Sequence, residues 1–226
     1  MVSPSKPSER SAGRHDLVFV SSAGWRAMLA TRGDMAADPL IARWSGQGWP
    51  TIRRRAMPAE PTGVALGLPL PPSAGKKRLA FLLQTDDIVT VARPPLLDAA
   101  CGSAPCAWWP TLDRIGELAF RHSVQARVFG SLAWQTLTGL DYLTGRSDLD
   151  LLLDVGRDTD LDRLAADVAA IEAKAPMRLD GELMREDGAA VNWREFHAGT
   201  SEVLIKRLDG VALLDRNLFM SGRTVS

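Results

Sequence analysis

Asp148 and Asp150 stand two residues apart in the run Ser147-Asp148-Leu149-Asp150-Leu151-Leu152-Leu153-Asp154, with leucine at 149, 151 and 153. That alternation predicts a strand with one apolar face and one face carrying both carboxylates. Side chains at i and i+2 on a strand lie about 7 Å apart, where two like charges repel by about 2 kcal/mol at an effective dielectric of about 20. Folding alone gains nothing from such a pair. A cation between the acids removes the repulsion, and a divalent metal held by carboxylate oxygens is the usual occupant.

Ahead of the acids, a short apolar run (Val124, Ala126, Val128) leads into Phe129-Gly130-Ser131 and then Leu132-Ala133-Trp134-Gln135, which reads as the start of a helix. Gly130 permits close backbone approach to a ligand. Ser131 supplies a hydroxyl and a backbone N–H at a helix start, where free N–H groups and the dipole favour phosphate. The order strand, Gly-Ser, short helix, acidic strand resembles the nucleotidyltransferase superfamily. That resemblance implies a triphosphate held by Gly130 and Ser131 and Mg²⁺ held by Asp148 and Asp150. It also implies a third carboxylate on a neighbouring strand, ligating metal or taking a proton. Asp180, before Gly181-Glu182 on the next predicted strand, is the candidate and Glu182 the reserve; a plain turn aspartate before glycine is the alternative. Lys206, in the apolar run Val203-Leu204-Ile205, is placed to reach a phosphate, although lysines on edge strands are also common as surface charge.

Several elements must position these groups. Residues 1–13 are rich in Ser, Pro and Gly and are expected to be a disordered tail. Residues 14–93 are expected to form a small α+β domain. It has strands over Asp16–Val20, Pro50–Arg55, Val64–Leu68 and Leu79–Gln84, and helices over Trp25–Ala30 and Met35–Trp44, the latter capped by Asp34. Pro94-Pro95 opens a connector into a second domain, residues 94–226. There Pro110 starts a helix with Leu112, Ile115 and Ala119 on one side. Asp158 or Thr159 caps a helix striped by Leu161, Leu164, Val168 and Ile171, and strands follow at Met177–Leu183 and Val203–Leu208. The fold class expected is α+β: a nucleotidyltransferase-like mixed sheet with flanking helices, plus the smaller N-terminal domain.

Composition removes other classes. Lys+Arg and Asp+Glu both number 27, so the basic excess of a dedicated nucleic-acid binder is missing. Cys101 and Cys106 form C-x4-C with no second pair, which indicates neither a zinc site nor a disulfide framework. No run of apolar residues is long enough for a membrane span, and residues 3–8 lack the apolar core of a signal peptide. A soluble cytoplasmic protein is the expectation. Two basic clusters, Arg53-Arg54-Arg55 and Lys76-Lys77-Arg78, are candidates to dock a phosphate-rich cofactor or an acidic partner. His15 and His122 read as structural, and Trp193 as half-buried beside solvated Arg194 and Glu195. Ser131 as a nucleophile lacks a positioned histidine.

The residues themselves indicate transfer of a nucleotidyl-like group with release of pyrophosphate. The blocks Val128–Gln135, Thr138-Gly139-Leu140, Tyr142-Leu143 and Ser147–Leu151 are more specific. They are similar to the malonate decarboxylase holo-acyl-carrier-protein synthase family, also called phosphoribosyl-dephospho-CoA transferases. Further matches are Arg14-His15-Asp16, Arg53-Arg54, Leu179–Glu182 and Val191–Glu195, so the similarity spans about residues 14–214. It implies a prosthetic group moved from 2′-(5″-triphosphoribosyl)-3′-dephospho-CoA onto a serine of the apo acyl-carrier subunit of malonate decarboxylase. Asp148 and Asp150 would be its two catalytic aspartates, and the N-terminal domain would recognise donor or carrier. A small nucleotidyltransferase that adenylylates a small molecule or protein hydroxyl would share the same Gly-Ser and Asp-x-Asp chemistry. A catalytically silent module that only binds a partner is the alternative from another class.

Overall fold

The computed structural model describes residues 13–221, so the expected disordered tail falls outside the described residues except for Gly13. The chain begins with β1 (Leu17–Val20), α1 (Ser22–Thr31), α2 (Gly33–Ala36), α3 (Pro39–Gln47), β2 (Thr51–Arg53), β3 (Val64–Pro69), β4 (Arg78–Leu83) and β5 (Ile88–Ala92). Next come α4 (Leu97–Ala100), α5 (Trp109–Arg121), β6 (Gln125–Val128), α6 (Gly130–Thr138), β7 (Leu149–Val155) and α7 (Leu161–Glu172). The last elements are β8 (Leu179–Arg185), β9 (Ala190–Asn192), α8 (Trp193–His197), β10 (Glu202–Lys206), β11 (Val211–Asp215) and α9 (Arg216–Ser221). Among the described residues these strands build two sheets, ordered β4-β3-β2-β1-β5 and β11-β10-β9-β8-β7-β6. The architecture is mixed α+β. No described helix is long and apolar enough to cross a membrane.

Strands of the first sheet pair antiparallel. In the second, β7 and β8 run parallel, with Asp150 directly opposite Asp180, while the other pairs are antiparallel. A parallel pair needs a crossover, which α7 provides. Its stripe of Leu161, Leu164, Val168 and Ile171 is buried together with Leu112, Ile115 and Ala119 of α5 and with Leu149, Leu151 and Leu153 of β7. The alternation read from the sequence therefore sends the leucines to the helices and Asp150 to the opposite face. A second core lies under the N-terminal sheet around Trp25, Trp44, Leu66 and Phe81, and it takes in Trp134 and Tyr142 from the C-terminal half. Helix α6 is shared: Leu132 and Ala133 belong to one core and Trp134 to the other.

Some sequence expectations are corrected. The single helix over Met35–Trp44 is broken at Asp38-Pro39. Proline pushes the residue before it out of helical geometry, and the Asp38 carboxylate accepts from Leu40 N–H at 2.8 Å to cap α3. Asp34 is not that cap but pairs with Arg32. Asp160 caps α7 by accepting from Arg163 N–H, whereas Thr159 Oγ1 accepts from Gly156 N–H. Strands β5, β9 and β11 were not anticipated: β9 has three residues, too few for a period to show, and β11 is mostly exposed. Trp193 is fully buried rather than half-buried, its indole N–H donating to Leu179 O at 3.0 Å. Arg194 pairs with Glu172, and Glu195 accepts from Leu204 N–H.

Candidate active site

Three carboxylates meet where β7 and β8 begin. Asp148 lies one residue ahead of β7, Asp150 is the second residue of that strand, and Asp180 is the second residue of β8. All three are half-buried. Burial first, then the charges of Asp180 and Asp148, push the Asp150 carboxyl up to about 7, against the Ser131 backbone N–H and the Arg78 charge. Asn192, the cap of α8, donates its amide to Asp180 Oδ1 at 3.0 Å and fixes that side chain toward the pair.

The Gly-Ser turn explains how Asp150 fits. Gly130 opens α6 at φ +61°, a left-handed backbone that glycine adopts freely, and a Cβ there would lie 1.8 Å from Asp150 Oδ2. The close approach expected of this glycine is thus made by Asp150 itself. Ser131 N–H binds the same carboxylate. The Ser131 hydroxyl makes no hydrogen bond among the described residues and is half-buried beside the acids.

Further along the same face lies a second ionic group. Glu182, two residues beyond Asp180, is 5% exposed and receives Arg14 at 3.0 Å, His15 at 3.1 Å and Lys206 Nζ at 3.1 Å. Burial would push its carboxyl up. The His15 hydrogen bond and the charges of His15, Arg14 and Lys206 outweigh burial and hold it at about 2. As the reserve carboxylate for proton transfer, Glu182 is therefore a poor fit, because both its oxygens are occupied. The structure gives one Lys206 donor to Glu182. His15 packs at a tilt against Phe129, with ring centroids 4.3 Å apart, immediately before the Gly-Ser turn. Arg93 reaches across to Asp154 of β7, which Arg127 also binds at 3.0 Å. The Arg14-His15 contribution was not legible as part of the site, since neither residue is near Glu182 in sequence.

The two basic clusters separate. Arg53 donates to Ala65 O at 3.2 Å, Arg54 pairs with Glu60, and Arg55 donates to the carbonyls of Arg207 and Leu208. That cluster is structural. Lys76, Lys77 and Arg78 are exposed at the turn into β4.

The donor chemistry at Asp148, Asp150 and Asp180 is of the kind a hard divalent cation takes: carboxylate oxygens, with Asp150 pushed toward protonation by burial and by the charges of Asp180 and Asp148. Among the described residues no group of three or more His, Cys, Asp and Glu is placed to hold a metal ion by itself. Mg²⁺ commonly takes only one or two protein carboxylates and completes its shell with water and substrate phosphates.

Comparison with known proteins bears on what this face serves. A family model described as the phosphoribosyl-dephospho-CoA transferase MdcG C-terminal domain matches residues 95–217, and one described as the corresponding N-terminal domain matches residues 13–94. A phosphoribosyl-dephospho-CoA transferase of Bradyrhizobium diazoefficiens is 67% identical over 226 residues, covering 100% of both chains. One of Xanthomonas euvesicatoria pv. vesicatoria is 39% identical over 207 residues, covering 91% of this chain and 95% of the relative. No solved structure matches the chain.

Proposed function

The chain belongs to the phosphoribosyl-dephospho-CoA transferase family, and we propose that it moves the phosphoribosyl-dephospho-CoA group from its triphosphate precursor to a serine of the apo acyl-carrier subunit of malonate decarboxylase. The observation that carries the reading is the carboxylate trio packed against the Gly130-Ser131 turn, with Asp150 pushed up by burial and by its two acidic neighbours. The nucleotidyltransferase-like architecture, with a donor- or carrier-recognising unit over residues 14–93 and a catalytic unit over 94–226, belongs to the same proposal.

In this reading Asp148 and Asp150 would hold Mg²⁺, which when bound would neutralise the polyphosphate and acidify an attacking hydroxyl. The chain's own groups do the rest. Ser131, through its uncommitted hydroxyl, orients the phosphate nearest the ribose. Lys206 uses one N–H on Glu182 and keeps two for a phosphate oxygen. Asp180, held by Asn192, accepts the proton of the carrier serine as its oxygen forms the new bond to phosphorus. The bond to the bridging oxygen breaks, and pyrophosphate departs with its electron pair.

The test is transfer to purified apo carrier, followed by the mass gain of the carrier and by pyrophosphate release. Asp148→Asn should reduce transfer by at least about 1,000-fold with an unchanged circular dichroism spectrum. Retained transfer overturns the assignment. Pyrophosphate release from ATP with a small-molecule or protein acceptor, and none from the triphosphoribosyl donor, would instead identify an adenylyltransferase.

A further inference from the structure

We propose that Arg78, contributed by the N-terminal sheet, is a phosphate-binding residue of the active site and contacts the pyrophosphate end of the donor. The inference rests on the reading of the site as a phosphoryl-transfer centre and adds to it a residue from the other half of the molecule.

The geometry begins at β4. Arg78 opens that strand and pairs in register with Pro69, the last residue of β3. Pro69 O accepts the Tyr142 hydroxyl at 2.7 Å, so this corner of the N-terminal sheet is tied to the loop between α6 and Asp148. The same loop is fixed from its other side: Gln135 Oε1 of α6 accepts Tyr142 N–H at 3.1 Å and Leu143 N–H at 3.0 Å. Tyr142 packs with Trp134 and Trp44 in the N-terminal core. The start of β4 is thereby held beside the segment that delivers Asp148 and beside the helix that begins with Gly130-Ser131.

Charge and exposure then single out Arg78. Its side chain is exposed and makes no hydrogen bond or ion pair among the described residues, while its charge acts on the Asp150 carboxyl. Lys206 and Arg14 each meet the Glu182 carboxylate, Arg194 that of Glu172 and Arg93 that of Asp154, whereas the Arg78 side chain meets none among the described residues. A guanidinium with no carboxylate partner, near enough to Asp150 for its charge to act there, matches the needs of a polyphosphate bound at the acids. As the phosphorus–oxygen bond breaks, the leaving pyrophosphate gains a negative charge, and a planar fork of N–H donors from the far wall can stabilise it. The two neighbours, Lys76 and Lys77, extend the same positive surface.

The donor carries a second diphosphate within its dephospho-CoA part, so the experiment uses two probes. Inhibition of transfer by inorganic pyrophosphate with Mg²⁺ and by 3′-dephospho-CoA is measured for wild type, Arg78→Gln and Arg78→Lys. The expected result is a pyrophosphate inhibition constant raised at least 10-fold in Arg78→Gln, partly restored in Arg78→Lys, with the dephospho-CoA constant unchanged within 2-fold. Isothermal titration with pyrophosphate and Mg²⁺, without donor or carrier, should show the same loss. Thermal unfolding checks that the exposed side chain is dispensable for folding. Unchanged pyrophosphate binding overturns the inference, as does a loss confined to dephospho-CoA. Because Asp148→Asn tests the underlying reading, transfer lost there with pyrophosphate affinity intact in Arg78→Gln rejects Arg78 alone.

Discussion

Replacing Asp150 by asparagine keeps the side-chain shape and removes the charge that burial, Asp180 and Asp148 oppose. In metal-free buffer at neutral pH, Asp150→Asn should be more stable than wild type by about 1–2 kcal/mol, seen as a melting temperature a few degrees higher, while transfer is lost. Millimolar Mg²⁺ should raise the melting temperature of wild type and leave the variant unmoved. A variant less stable than wild type would mean that Asp150 is a structural cap for α6 rather than an acid held at a cost. Gly130→Ala tests the same contact from the other side: with φ +61° and only 1.8 Å to the carboxylate oxygen, it should lose at least about 2 kcal/mol of stability in a denaturant titration. The acid pair and the Gly-Ser turn were legible because both signals are local, a period of two and a single glycine. That Asp150 itself fills the glycine's space was not legible, since β7 meets α6 only in the folded chain.

Among the elements, those with a long apolar stripe were readable: α5 and α7 bury the residues expected of them. Where reading failed, short local chemistry had been outweighed. Asp38-Pro39 carries a break signal inside an otherwise helical pattern, and the structure obeys the proline. Lys206 was legible as a late-strand lysine, but not its partner Glu182, because β9 inserts between β8 and β10 and brings in elements distant along the chain. Tyr142 shows how one element positions another without touching substrate. Its hydroxyl anchors the β3–β4 corner to the loop preceding the acids. Tyr142→Phe should cost about 1 kcal/mol in stability and raise the donor KM several-fold with kcat little changed, because it loosens the placement of β4 and not the acids. Steady-state kinetics separates this from a catalytic role: a fall in kcat with constant KM would contradict it.

At the scale of the molecule, the polar face of the C-terminal sheet is closed by the N-terminal half, and Glu182 is the centre of that closure. Its partners come from the segment before β1 (Arg14 and His15) and from β10 (Lys206). Composition could not reveal this, because a zero net charge says nothing of where the charges pair. The consequence is a pH dependence of known sign. The folded carboxyl sits at about 2 against an ordinary value of 4.5, so between those values the unfolded chain binds more protons than the native one. The stabilisation is fully present above about pH 4.5 and is lost as pH falls through about 2. Glu182→Gln leaves Arg14 and Lys206 without their carboxylate, and at pH 7 it should lose on the order of 3 kcal/mol. Urea midpoints of wild type and Glu182→Gln, measured from pH 7 down to pH 2.5, should therefore converge as the acid limb is reached. A gap that stays constant over that range would place the worth of Glu182 in packing rather than in the ionic seam. The stability of the closed site and the approach of Arg78 to the acids would then have to be sought in Tyr142 and the shared core around Trp134.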